Sequence, residues 1–205
     1  MKRLFIGSIW LMLAGCSGLL PKQSAPPSFH SLDRAADVTA ATAAAAAPSA
    51  AALTLIVNPP HAAAGYDSKR IVYQRQAHQL EYFAHHEWID SPARMLAPLM
   101  IAALESSGTF RAVVLTPSAA SGDVSLDTQI VRFAQDLSTT PSRVRFTLHS
   151  VMVESATRRV LAWREFEAIV IASSDDPQGG VVAANLAVQQ VLNKLTKFCS
   201  DAVRK

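Results

Sequence analysis

Two cysteines are the whole thiol content of the 205-residue chain, and their positions exclude a structural disulfide. Cys16 stands near the amino terminus, straight after a short apolar run, where no core can form. With Cys16 committed elsewhere, Cys199 is left without an internal partner. The fold must therefore hold by apolar burial, even in a compartment that would permit cross-links. Charge is also scarce: 17% of residues are Asp, Glu, Lys or Arg, and the formal net charge is +3. Lys2 and Arg3 open the apolar run, and without them the charge falls to +1. A nearly neutral chain gives no electrostatic basis for binding nucleic acid. A run of the roughly 20 apolar residues that a membrane-spanning helix needs is missing as well. So are HExxH, CxxC, the GxSxG nucleophile elbow and the GxxxxGK[ST] phosphate loop. No cofactor and no catalytic residue are expected, and an envelope hydrolase is the least supported function.

The opening residues have the pattern expected of a leader. Lys2 and Arg3 are positive, residues 4–13 are apolar except for Gly7 and Ser8, and Ala14 and Gly15 are small. Charged, apolar, then small is the order of an export signal. Its apolar run of about ten residues is too short to remain as an anchor. Leu13-Ala14-Gly15-Cys16 resembles the bacterial lipobox. That resemblance implies cleavage before Cys16, a diacylglycerol thioether on its sulfur, and acylation of the new amine. One acyl chain holds a bilayer marginally, at about 0.8 kcal/mol per buried methylene, whereas two or three make attachment durable. Ser17, in place of the aspartate that retains lipoproteins at the inner membrane, favours the outer membrane.

The mature chain divides into a tether, residues 16–52, and a folded part, residues 53–205. "SGLLPKQSAPPS" is rich in proline and serine, and "AADVTAATAAAAAPSAAA" is nearly all alanine. Neither has an apolar stripe with a polar opposite face, so both read as linker. "FHSL", residues 29–32, puts two large apolar residues between them, and a short added strand is expected there. In the folded part, "LTLIVNPP" is a β-rich run stopped by Pro59 and Pro60. "RIVYQRQ" and "QLEYFAHH", two residues apart, predict a hairpin. Pro92 opens a helix whose apolar stripe is Met95, Leu96, Leu99, Met100, Ala103 and Leu104, and Gly108 ends it. "TFRAVVL" predicts a strand from Thr109. Three alternating runs, "DVSLDTQIVRF", "RVRFTLHSVMV" and "RRVLAWREFEAIVI", predict an antiparallel meander. After a break over residues 173–180, a last helix is expected from Val181, burying Ala184, Val188, Val191, Leu195 and Phe198. The order of three strands, helix, strand, three strands, helix predicts an α+β domain: a mixed, largely antiparallel sheet covered by two helices.

The residues that could carry chemistry mostly have plainer readings. His85 and His86 in "HHE" would point to opposite faces of a strand and not converge on a metal. Asp175 and Asp176 sit in a turn, and Gly179-Gly180 reads as a flexible hinge or helix start rather than an anion cradle. Cys199 reads as a small core residue, and Trp88 and Trp163 are expected in the core. Arg143, Arg145, Arg158 and Arg159 are expected on a solvated face, with an acidic partner or lipid headgroups as the alternative.

Residues 68–114, "SKRIVYQRQAHQLEYFAHHEWIDSPARMLAPLMIAALESSGTFRAVV", resemble the auxiliary lipoproteins of ABC-type transport systems. The shared features are a strand with Arg70 to Tyr73, a strand with Tyr82, Trp88 before a helix opened by Pro92, and Ser107-Gly108 followed by Phe110 and Val113. "FHSL" is similar to an early family segment, with His30 where tyrosine is common. Ile89-Asp90-Ser91 departs from the acidic or alanine-rich stretch of many relatives. The resemblance implies a periplasmic domain moored to the outer membrane through lipidated Cys16. It would dock with MCE-domain subunits of an intermembrane lipid transporter and have no catalytic centre. Arg70, Tyr73 and Trp88 are the candidate partner-interface residues, and self-association through edge strands is a further expectation. The alternative is a structural or assembly lipoprotein of the envelope, binding peptidoglycan or a barrel protein without a transport role.

Overall fold

A computed structural model describes residues 26–33 and 52–204; the leader, Cys16 and most of the alanine-rich stretch lie outside the described residues. The elements run β1 (Ser28–His30), β2 (Thr54–Val57), β3 (His61–Ala62), β4 (Arg70–Gln76), β5 (Gln79–Trp88), α1 (Pro92–Ser106), β6 (Ala112–Leu115), β7 (Val124–Asp136), β8 (Arg143–Glu154), β9 (Val160–Ile171) and α2 (Pro177–Ala202).

Alternation builds the centre of the sheet. Val124, Leu126, Thr128 and Ile130 of β7 are buried, as are Val144, Phe146, Leu148 and Met152 of β8 and Phe166 and Ala168 of β9. Since successive strand residues face opposite ways, each set lies on one face and meets the helices there. The β7–β8 ladder slips one residue between Ile130 and Arg132. Val131 is the extra residue, and the slip returns Phe133 and Gln135 to the buried face.

β7 is the hub. β8 runs antiparallel along one side of it, and β9 runs antiparallel outside β8. Three short strands share its other side, all parallel: β2 against residues 124–126, β3 against 129–130, and β4 against 135–136. Beyond β2 lies β6, also parallel, and beyond β4 lie the antiparallel β5 and then β1. The sheet therefore forks on that side of β7. The long ladders are antiparallel and the short ones parallel, the mixed sheet that the pattern predicts.

α1 and α2 pack against one face of this sheet and touch each other. α2 buries Ala184, Val188, Val191, Leu195 and Phe198, the stripe predicted from spacing. Each large side chain of that stripe is worth about 1.5–3 kcal/mol on burial. Pro98 lies on the exposed side of α1, where its missing N–H costs the core nothing. Gly108 takes φ +63 just past the helix, a left-handed position that glycine fills without strain.

Three expectations need correction. α2 starts at Pro177, not Val181, because Pro177 suits the first turn and Asp176 caps it through Gly179 N–H at 2.8 Å. Residues 109–111 do not join β6, because Phe110 turns into the core. Trp163 is not a core residue: it is 67% exposed. Its parity along β9 is that of Glu165 and Glu167, opposite to buried Phe166 and Ala168.

Candidate functional site

One end of the sheet captures the tether. β1 adds as a parallel edge strand on β5, with Ser28 opposite His86 and His30 opposite Trp88. Ile89 N–H donates to the His30 carbonyl at 2.8 Å. The imidazoles of His30 and His86 stack, centroids 5.3 Å apart, and share a hydrogen bond of 3.0 Å between His30 Nε2 and His86 Nδ1. Burial first, and then the neighbouring His86, pulls the His30 pKa below its ordinary value. Leu32, 7% exposed, enters the core. Asn185 of α2 closes the clamp: its Oδ1 accepts from Asp33 N–H at 2.7 Å, and its Nδ2 donates to the Ser31 carbonyl at 3.3 Å. Sequence reasoning found the segment through its two apolar residues but missed Asn185, a lone polar residue at a helix position with nothing local to mark it.

The three residues expected at a partner interface do not form one surface. The Arg70 guanidinium lies 4.9 Å from the centre of the Tyr82 ring, at the exposed start of β4. Tyr73 packs on Phe83, with centroids 4.4 Å apart, and donates to Glu81 Oε2 at 3.1 Å. Glu81 also pairs with Arg75. Trp88 departs from that assignment: it is 3% exposed and stacks on Phe133 with centroids 5.6 Å apart. It is a core residue, in keeping with the other reading its sequence allows, and offers no surface to a partner.

The remaining candidates take structural roles. His85 is exposed while His86 turns to His30, so the two diverge. Asp175 accepts from Ser142 N–H at 2.6 Å. The backbone N–H of Gly179, followed by the Ser174 hydroxyl, holds the Asp176 carboxyl below its ordinary pKa. Gly179 and Gly180 are glycines because a Cβ on either would strike a neighbour: the Ser174 carbonyl at 2.4 Å, or Gln135 Oε1 at 2.1 Å. Burial alone pushes the Cys199 thiol up to about 12. Arg143, Arg145 and Arg159 pair with Asp136, Glu167 and Glu154 at 3.1, 3.5 and 3.8 Å, and Arg158 holds a left-handed turn with φ +61. Among the described residues no group of three or more His, Cys, Asp or Glu side chains could hold a metal ion.

The sheet face opposite the helices was not foreseen as a site. Trp163, Ile169 and Ile171 of β9 lie exposed on it, beside His149, whose ring centre is 6.0 Å from that of Trp163. Among the described residues β9 pairs with β8 alone, so its outer edge is open. Lys194 of α2 donates to the Glu167 carbonyl on that edge at 2.7 Å and covers one acceptor. A shallow groove of about 820 Å³ follows between β9 and the end of α2, with Trp163 on its rim and Arg164 over the Phe198 ring at 5.6 Å. The arrangement offers two features a partner could use, a captured tether and an open sheet face.

The family model for the ABC-type transport auxiliary lipoprotein component matches residues 37–196, most of the chain. The chain belongs to that family. This auxiliary lipoprotein is similar in structure to the DUF330 protein of Xanthomonas campestris, at 25% identity and a TM-score of 0.69, over 77% of this chain and 91% of that one. An uncharacterized protein of known structure shares the fold at 13% identity and a TM-score of 0.65, over 85% and 99% of the two chains. The hypothetical protein CT253 of Chlamydia trachomatis follows at 8% identity and a TM-score of 0.50, over 73% and 96%. No curated protein matches the auxiliary lipoprotein in sequence. No helix among its described residues is long and apolar enough to cross a membrane.

Proposed function

We propose that the auxiliary lipoprotein is a non-catalytic accessory subunit of an ABC/MCE-type system that moves lipid between membranes. It is moored to the outer membrane by acylated Cys16 and faces the periplasm. The observation that carries this reading is the conjunction of the family match over residues 37–196 with a lipobox ending in Cys16. The acyl chains supply the membrane affinity and the domain supplies a docking surface. We assign contact with the MCE-domain subunits to the open sheet face around Trp163. Exposed aromatic and branched apolar residues on one face are the usual material of a protein contact. The same face includes the free edge of β9, where self-association would occur by strand pairing.

Crosslinking in cells followed by detergent purification tests the partner. MCE subunits are expected with the wild-type chain and are expected to fall several-fold with Trp163→Ala. Their absence from the wild-type sample would sink the transport role. A deletion strain with intact lipid asymmetry but altered cell shape would favour a structural or assembly role instead.

A further inference from the structure

The tether does not leave the domain where the continuous fold begins. It leaves from β1, on the edge of β5, and side chains reinforce the β1–β5 ladder there. Leu32 is buried, Asn185 grips the backbone of Ser31 and Asp33, and His30 meets His86. The histidine contact is conditional. A hydrogen bond between Nε2 of one ring and Nδ1 of the other needs one donor and one acceptor, so at least one of the two nitrogens must lack its proton. We propose that the His30–His86 pair is an acid-released latch on the tether: protonation of both rings breaks the 3.0 Å contact, loosens β1 from β5 and lengthens the reach of the domain.

The charged surroundings of the pair do not remove this dependence. From α2, the Asp176 carboxylate feels His86 only as the last of its influences, after its hydrogen bonds from Gly179 N–H and the Ser174 hydroxyl. From the tether, Asp33 is held by the Ser31 hydroxyl at 2.8 Å. From β5, Glu87 follows His86 and lies in register with Arg70 of β4. The ring of Phe83, which is uncharged, meets His86 edge-on with centroids 6.5 Å apart. No carboxylate is hydrogen-bonded to either imidazole among the described residues, so a second proton has no bonded counter-ion.

The sign follows from linkage. The docked His30 has a pKa below the 6.5 of a free histidine, so the undocked state binds the proton more readily. Docking is at full strength above that value and weakens as the pH falls below it. Release would change the reach of the molecule. Twelve peptide units separate Cys16 from Ser28, a span of at most about 43 Å, whereas the 37 units to Leu53 could span about 130 Å. This consequence rests on the acylation of Cys16 proposed above; the latch itself does not.

Hydrogen exchange on the full mature chain between pH 8 and pH 5, corrected for intrinsic rates, reads the latch directly. The amides of Ile89 and Asp33 report docking, and those of β7 and β8 serve as the internal reference. Protection of the reporters is expected to fall about tenfold relative to the reference between pH 7.5 and pH 5. His30→Phe, which keeps a ring against His86 but cannot take a proton, is expected to hold its protection across the range. Equal protection of the wild-type reporters at both pH values would overturn the latch, and so would an equal fall in His30→Phe. Because exchange is measured whether or not Cys16 is acylated, failure of the latch and failure of the mooring are distinguishable.

Discussion

Gly180 is fixed by its neighbour rather than by its backbone. Its α-carbon lies against Gln135, a side chain buried in the sheet with Nε2 donating to the Ser142 hydroxyl at 3.0 Å. A methyl group at Gly180 would stand 2.1 Å from Gln135 Oε1, so the Gln135 side chain must give up its buried position or the helix must shift. Gly180→Ala is expected to cost about 1–3 kcal/mol in urea unfolding, the usual penalty for overpacking. Gly108→Ala is the contrasting case: nothing lies within 4 Å of the added carbon, and the whole cost comes from φ +63. That cost is about 1–2 kcal/mol. Only Gly180→Ala should respond to Gln135→Ala in a double-mutant cycle, because only there does the penalty come from a contact. At the same scale, Cys199 is buried and its thiol is pushed up to about 12. In a folded chain carrying Cys16→Ser, an alkylating reagent at pH 8 is expected to leave Cys199 unmodified, with labelling complete in denaturant; labelling at equal rates would show the site open.

Asp176 shows how a cap sets an element boundary. Its carboxylate accepts from Gly179 N–H and the Ser174 hydroxyl, both at 2.8 Å, and its pKa is lowered by the first of these before the second. A depressed carboxyl stabilises the fold above its unfolded value of 3.8 and loses that contribution as the pH falls through the lower folded value. Asp176→Ala should therefore melt below wild type at pH 7, and the gap should narrow as the pH drops below 3.8. A gap independent of pH would mean that the charge plays no part in the cap. The expected start at Val181 failed because a glycine pair reads as a break, whereas here both glycines sit in the first helical turn for packing reasons visible only in three dimensions. Strands were legible where one face is buried along their length, as in β7 and β8, because burial writes period two into the sequence. β3 was not legible, since two residues carry no period. Trp163 was misread by its residue type, although the glutamates two and four positions on carried the information that its side faces water. The captured tether was half legible: Leu32 announced a need for burial, but the partners supplied by β5 and α2 come from residues far along the chain.

At the scale of the molecule, mooring and folding are separable. The core is assembled from residues 32 and 55–199, and its hub, β7, lies in the middle of the chain. Leu32 is the first core residue, sixteen positions after Cys16, so no core contact among the described residues depends on what Cys16 carries. On the acylation proposed for Cys16, the acyl chains would act only on location: two or three of them make release from a bilayer rare, and a chain without them would lose that hold. Cys16→Ser, exported behind a cleavable leader that does not need the cysteine, is therefore expected to move the protein from the membrane fraction to the soluble fraction after envelope lysis, with the thermal midpoint unchanged. Mass spectrometry of the wild type should find the amino terminus at an acylated Cys16. If the serine variant stays with the membrane as firmly as wild type, attachment runs through protein contacts, and the open face around Trp163 becomes the first surface to disrupt.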